Sequence, residues 1–424
     1  MKLEIRTLIL LLCAALALTT ACKKTPIPTE EDPQPSVVDF RASSQATWVK
    51  SETSSPFLYD MFGVWGIARQ RSYVYNLWGD TSLIEVNKNE QTGYYEPESD
   101  AYWLGGYTYN FLAVAPIDDE GFNFISATTK ENQLNANPAV QNPVDIVTFA
   151  YDISSKYSAS NYTFDLIGSA MENPSVAGGR TAPQDLTFWR LLCRVNIGVS
   201  FTTGLNGEQI EGKLTKIKLA DICTEATSNI CYVNDTPSVQ ADWICADDAN
   251  TMECEYTVSQ YVTLTIKANQ ADAVVTLTAG ESTVTGENGE ASITVLRGTN
   301  VDYIIEGKVG EESKKVQERL HVHRSLTKTV FLDTNESRID AIPDWSINVI
   351  PQDASKMKLF LDFQINGQVY DDFEVRLNFP SSVNPQAFNH MYNWNISIGT
   401  GAAIMFEVVD VVDWKDGEDG EISM

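Results

Sequence analysis

Cys22 is the residue whose neighbours point most directly to a reaction. Lys2 and Arg6 give the chain a basic start, and Leu8 to Leu18 is an apolar run of signal-peptide length. That run is too short to cross a bilayer as a helix. It ends in Leu18-Thr19-Thr20-Ala21-Cys22-Lys23-Lys24. Small residues before a cysteine suit a lipoprotein signal peptidase. Residues 1–21 would be removed as a lipoprotein signal peptide, and the Cys22 thiol would carry a diacylglycerol. Thr19 stands three residues before the cysteine, where leucine is usual. The alternative is an ordinary secretory signal that leaves Cys22 in the mature chain. Cys13 lies inside the signal.

Of seven cysteines, five remain beyond Cys13 and Cys22. Cys193 sits in a strong strand pattern and reads as a buried thiol. Cys223, Cys231, Cys245 and Cys254 cluster, and an exported chain can oxidise them; four cysteines allow three pairings. Free thiols are the second reading. A zinc site is the third, although no CxxC spacing occurs and no histidine is near. His321 and His323 alternate on one strand and share a face, but no third zinc ligand is evident. A solvated face beside Arg324 is the plainer expectation, and His390 reads as a loop residue.

No G-x-S-x-G nucleophile elbow occurs. Carboxylates are abundant at this charge, so no glycosidase pair stands out. The chain is therefore expected not to be an enzyme, and to need no cofactor and no metal. Asp410, Asp413, Asp416, Asp419 and Glu421, with Gly417 and Gly420, resemble a calcium loop but miss the EF-hand spacing. A solvated acidic tail is the expected reading. Tyr73, Tyr75, Trp78, Tyr94, Tyr95, Tyr102 and Trp103 could stack on sugar rings. They could equally pack the cores and edges of strands, which favour aromatics.

The elements that must carry these residues are mostly strands. Residues 22–36 form a tether, with TPIPTEEDPQPS from Thr25 to Ser36 too polar and Pro-rich to fold. The net charge of −27 argues against nucleic acid and anionic lipid as partners. Beyond the tether, short runs such as Arg194-Val-Asn-Ile-Gly-Val-Ser-Phe and Trp394-Asn-Ile-Ser-Ile alternate apolar and polar residues between turn signals. Helical patterns are short, as near Asp353 to Lys358. The fold class is all-β, with tandem transthyretin/Ig-like β-sandwich domains over 37–204 and 205–424. Residues 258–332 read as a small β-sandwich inserted in the C-terminal domain, or as further strands of that domain.

Several stretches in order resemble the fimbrillin family, the pilus-subunit lipoproteins of anaerobic Gram-negative bacteria. They are Ser36-Val-Val-Asp-Phe40 followed by Arg41-Ala42, Phe62-Gly-Val-Trp-Gly66, Tyr107-Thr-Tyr-Asn-Phe-Leu-Ala-Val-Ala-Pro116 and Asp145-Ile-Val-Thr-Phe-Ala150. Further on come Leu186-Thr-Phe-Trp-Arg-Leu-Leu-Cys-Arg-Val195, Asn389-His-Met-Tyr392-Asn-Trp-Asn-Ile-Ser-Ile398 and Trp414. Arg190 stands where many relatives have histidine, and the insert lies outside the resemblance.

The resemblance implies a fimbrium subunit, structural or adhesive, anchored in the outer membrane by its lipid. A surface protease would cut after Arg41 or Lys50 and release the first strand. The C-terminal strand of another subunit would fill the groove, with Met405, Phe406, Val408 and Val409 as the candidate donor. Partners would be other pilus subunits and a host or microbial surface ligand. Without the cut, the protein would keep its lipid as an anchor or accessory subunit. The competing reading is a surface glycan-binding lipoprotein of a polysaccharide uptake system.

Overall fold

The computed structural model describes residues 37–44, 55–57, 59–79, 82–173, 183–201, 212–232, 239–245, 251–352, 356–376, 390–399, 404–406, 410–413 and 422–423. These residues form an all-β molecule of several packed sheets. Two short helices are described, Lys130–Ala136 and Ser154–Ser158. The first is capped by Thr129, whose side chain accepts from the Asn132 N–H at 3.1 Å. Residues 353–355, where the sequence suggested a helix, lie outside the described residues.

The N-terminal region is a nine-stranded sheet that closes on itself. From Phe40–Ser44 the ring passes through Gln184–Arg190, Ile167–Asn173, Thr108–Ala115, Met61–Gln70, Ile84–Lys88 and Tyr95–Pro97. It returns to the first strand at Phe40, which pairs with Tyr95. The two central strands, Met61–Gln70 and Thr108–Ala115, are buried along most of their length because both of their faces are covered. Phe62, Val64, Tyr109 and Phe111 point into the ring. Trp65, Ile67, Leu112 and Val114 point outward into a second core. Side chains alternate faces along a strand, so one segment serves two cores.

That second core is shared by the rest of the body. Over the outer face lies a four-stranded sheet of Phe122–Thr128, Ile146–Asp152, Glu225–Tyr232 and Val239–Cys245. Glu225–Tyr232, from beyond residue 204, pairs antiparallel with Ile146–Asp152. Two further sheets complete the body. One joins Trp345–Val349, Cys193–Phe201 and His390–Ile398, with Ile404–Phe406 and Asp410–Asp413 on its edge. The other joins Thr251–Thr257, Gly212–Cys223, Lys358–Ile365 and Gln368–Val375. Cys193–Phe201 and His390–Ile398 run parallel, and their register sets Asn196 opposite Asn393. The Asn196 Nδ2 donates to Asn393 Oδ1 at 2.9 Å, a buried pair that a one-residue slip would break.

Residues 261–332 carry a core of their own, built mainly of Val, Leu and Ile around Tyr303. A sheet of Ser282–Gly286, Val274–Ala279, Thr299–Val309 and Glu312–Val322 faces one of Glu290–Leu296, Tyr261–Ala268, Leu326–Phe331, Glu336–Ala341 and, at its edge, Ile422–Ser423. Glu290–Leu296 alternates exposed and buried residues along its length, as a strand with one wet face must. Three side chains tie this module to the body. Arg297 pairs with Asp344 at 2.8 Å with both side chains buried, Arg324 Nη1 donates to Asn395 Oδ1 at 3.1 Å, and His323 meets the Phe201 ring. Gly198 sits under Arg324, and a Cβ there would collide with the guanidinium.

Candidate functional site

The first strand obeys a period of two. Val38 and Phe40 are fully buried and Ala42 packs against the same core, while Arg41 faces solvent. Phe40 meets Phe111 edge-on at 5.2 Å and Phe62 at 6.0 Å between ring centroids. On one side the strand runs parallel to Gln184–Arg190, from Phe40 opposite Gln184 to Ser44 opposite Phe188. The Gln184 N–H donates to Asp39 O at 2.7 Å. On the other side the Val38 N–H donates to Ala101 O at 2.8 Å, and Val37 bridges Tyr102.

Two features make this strand separable. Among the described residues it alone joins Gln184–Arg190 to Tyr95–Pro97. Its pairing with the next strand, Ser55–Pro56, is short and lies beyond Arg41, with Ser43 opposite Pro56 and Ser44 opposite Ser55. Taking it out leaves the backbone groups of Gln184–Phe188 without their main partner, since only Trp189 and Arg190 pair on the opposite side. The floor exposed would be Phe62, Tyr95, Phe111 and Phe188. An open strand edge over an apolar floor is a template for another strand.

The electrostatics hold the strand loosely. Arg41 Nε meets Asp185 Oδ1 at 2.9 Å, but the side chains are 51% and 66% exposed, so the pair contributes little. Burial pushes the Asp39 carboxyl above the usual carboxylate range, helped by the charges of Glu96 and Asp100.

The other sequence-derived candidates fall as follows. Cys22 and the tether, Lys50, Val408, Val409, Asp416, Asp419 and Glu421 lie outside the described residues. Met405 and Phe406 belong to Ile404–Phe406, on the edge of the sheet led by His390–Ile398, with Met405 opposite Ser397 and Phe406 opposite Ile396. Asp410–Asp413 continues along the same edge, with Val412 opposite Met391.

Cys193, Cys223, Cys231 and Cys254 are buried and Cys245 is half-buried, all as thiols. The thiols of Cys223 and Cys245 lie within range of each other, whereas that of Cys193 faces Tyr392. No group of three or more His, Cys, Asp or Glu side chains suited to a metal occurs among the described residues.

The solvated histidine face expected from the sequence is not what forms. His323 and Arg324 are only 4% and 6% exposed. Their strand end is turned toward the body, where His323 packs on Phe201 and stands 4.3 Å from His321 between ring centroids. His390 likewise opens a strand and is not in a loop. The aromatic set divides. Tyr73, Tyr75, Tyr94 and Tyr102 are exposed, whereas Tyr95 and Trp103 are core residues of the ring, out of reach of a sugar.

Comparison with known proteins adds a family. A sequence profile described as fimbrillin-like matches residues 59–311. No curated protein matches the chain. Similar solved structures include a fimbrial protein from Bacteroides vulgatus, 12% identical, covering 89% of this chain and 99% of that one with a TM-score of 0.43. A second is the fimbrial anchor protein Mfa2 from Porphyromonas gingivalis, at 13% identity, 80% and 100% coverage and a TM-score of 0.25. A third is a fimbrial assembly protein from Parabacteroides distasonis, at 12% identity, 74% and 98% coverage and a TM-score of 0.24.

Proposed function

This chain belongs to the fimbrillin-like family, and from that premise we propose that it is a surface fimbrium subunit assembled by exchange of its first strand. The family places it among fimbrial proteins that associate with other pilus subunits. In our reading the chain is exported as a lipoprotein, acylated on Cys22 and held off the outer membrane by the tether. A protease cuts after Arg41 or Lys50. The lipid then leaves with the first strand, or with its part up to Arg41 where the cut falls there, and the C-terminal segment around Met405, Phe406, Val408 and Val409 of another subunit takes their place. The role is structural or adhesive, without catalysis and without a cofactor.

One observation carries this reading. Val38 and Phe40 fill an apolar groove between two strand edges, while Arg41, next in the chain, is exposed. Exchange needs a strand whose side chains are buried but whose hold on the next strand is short, here two residue pairs with Ser55–Pro56. The strand leaving gives up about 1.5–3 kcal/mol for each large apolar side chain. An incoming strand with equivalent alternate residues regains it together with the backbone bonds.

The test is controlled proteolysis of the purified full-length chain with an arginine-specific protease. The expected result is loss of the N-terminal segment followed by a ladder of oligomers that resists mild detergent. Arg41→Ala with Lys50→Ala should stay monomeric, and a chain truncated before Ile404 should be cut without polymerising. Clean loss of the segment with no oligomers at high concentration would overturn the reading.

A further inference from the structure

Cys223 and Cys245 each end a strand, Gly212–Cys223 and Val239–Cys245. The two strands belong to different sheets. Only Thr224 separates Gly212–Cys223 from Glu225–Tyr232, so the chain steps from one sheet into the other at that point. Ala226, just past the step, is paired with Cys245. This register brings Cys245 to the step, close enough for its thiol and that of Cys223 to act on each other.

Cys223 is fixed in place. Its N–H donates to Gln352 Oε1 at 2.9 Å, and its thiol lies 3.3 Å from Glu225 O. The other cysteines face different residues across their strands. Cys231 lies opposite Ile146 and Gln240, and Cys254 lies opposite Leu219. Cys193 faces Tyr392.

We propose that Cys223 and Cys245 are joined by a disulfide in the mature protein, one bridge that fastens the two sheets at their step and leaves Cys193, Cys231 and Cys254 as thiols. The bridge rests on export to the surface, and not on strand exchange. Disulfides persist in such compartments.

The oxidant is the disulfide of an envelope thiol oxidase or of a small-molecule thiol. Cys245 is the more exposed of the pair, and Cys223 and Lys356 hold its thiol below the ordinary cysteine range. It attacks first as thiolate. A mixed disulfide forms and one thiolate leaves on the oxidant. Cys223 then gives up its proton, and its sulfur displaces the second thiolate. Two protein thiols lose two electrons and two protons, and one disulfide of the oxidant becomes two thiols.

The test uses the full chain recovered from the producing cell's envelope, and the purified chain treated with glutathione disulfide. Free thiols are alkylated in denaturant, and peptides are mapped by mass without reduction. A single linked pair containing Cys223 and Cys245 is expected, with alkyl groups on Cys193, Cys231 and Cys254. Reduction should lower the midpoint of thermal unfolding in the parent and leave it unmoved in Cys245→Ser. Alkylation of Cys245 in both samples, or a bridge from either residue to Cys231 or Cys254, would overturn the pairing. Polymer formation is scored separately by the proteolysis ladder, so either idea can fail alone.

Discussion

The N-terminal ring and the module of residues 261–332 solve the same packing problem with different shares of local pairing. The module is held mainly by hairpins, with one parallel pair, Tyr261–Ala268 beside Leu326–Phe331. Val274–Ala279 pairs with Ser282–Gly286, Thr299–Val309 with Glu312–Val322, and Leu326–Phe331 with Glu336–Ala341. Its tight turns use glycines in the left-handed region, at Gly280 (φ +59°) and Gly310 (φ +64°). The ring is closed instead by a strand at the start of the described chain, set parallel to one far along it. Its core is aromatic, with Phe40, Phe62, Phe111 and Trp103 in edge contacts. Local closure keeps a domain shut when an end is lost. Terminal closure makes one strand removable as a unit.

The largest expected effect lies in the ring. Phe40→Ala should destabilise it by about 4 kcal/mol, the usual cost of emptying an aromatic core site. The module has a separate core and should not respond. Native-state hydrogen exchange checks this. Amides of Gln184–Phe188 should lose protection while those of Thr299–Val309 keep theirs. Equal loss in both regions would mean that ring and module unfold together, and the contrast would be gone.

Next in size is the joint between the module and the body. Asp344 is fully buried beside Arg297 and also accepts from the Val199 N–H at 2.8 Å. Burial pushes its carboxyl above the usual range even with the guanidinium alongside. Asp344→Asn leaves Arg297 as an unpaired buried cation, at a cost of about 3 kcal/mol. The expected sign is a calorimetric transition for the module that separates from that of the body. A single transition shifted as a whole would show the joint to be part of one cooperative unit.

How much of this was legible in the sequence follows from the range of each interaction. Strand identity was readable, because Glu290–Leu296 and Arg194 to Phe201 alternate apolar and polar residues whatever surrounds them. The first strand was readable as a family feature, and its alternation of Val38 and Phe40 with Asp39 and Arg41 is written in the chain. The burial of His323 was not, because period two says which residues share a face and not what lies opposite. Phe201, which covers that face, comes from far along the chain. The same holds for Asp145, which accepts from both Arg69 and Asn110. The proximity of Cys223 to Cys245 depends on the step at Thr224, which spacing alone does not reveal.

The third effect tests the joint by acid. His323 is buried and faces His321, Arg297 and Arg324, with Asp344 already paired to Arg297. Burial first, then those charges, lowers its pKa from 6.5 to about 3. A base that is harder to protonate when folded adds no penalty above the unfolded value. Below pH 6.5 the unfolded chain takes up a proton that the folded one refuses, so stability falls by about 1.4 kcal/mol per pH unit, down to the folded value. Urea midpoints between pH 7 and pH 4 should fall less in His323→Phe than in the parent. Parallel curves would remove His323 as the acid-sensitive group.

The smallest effect belongs to the first strand itself and runs the other way with pH. Asp39 has its carboxyl raised by burial and then by Glu96 and Asp100, with the exposed Arg41 next to it in the chain. An acid whose folded pKa is raised gives stability that is complete below the unfolded value of 3.8 and is lost as pH rises through the folded value. At neutral pH the Asp39 carboxylate therefore pushes the strand outward. Because the site is partly open to water, the effect should be under about 1 kcal/mol. Asp39→Asn should slow arginine-specific release of the N-terminal segment at pH 7 by a few-fold, with the difference vanishing near pH 4. If the two chains release at equal rates at pH 7, the repulsion does not loosen the strand, and its readiness to leave rests on its short pairing with Ser55–Pro56 alone.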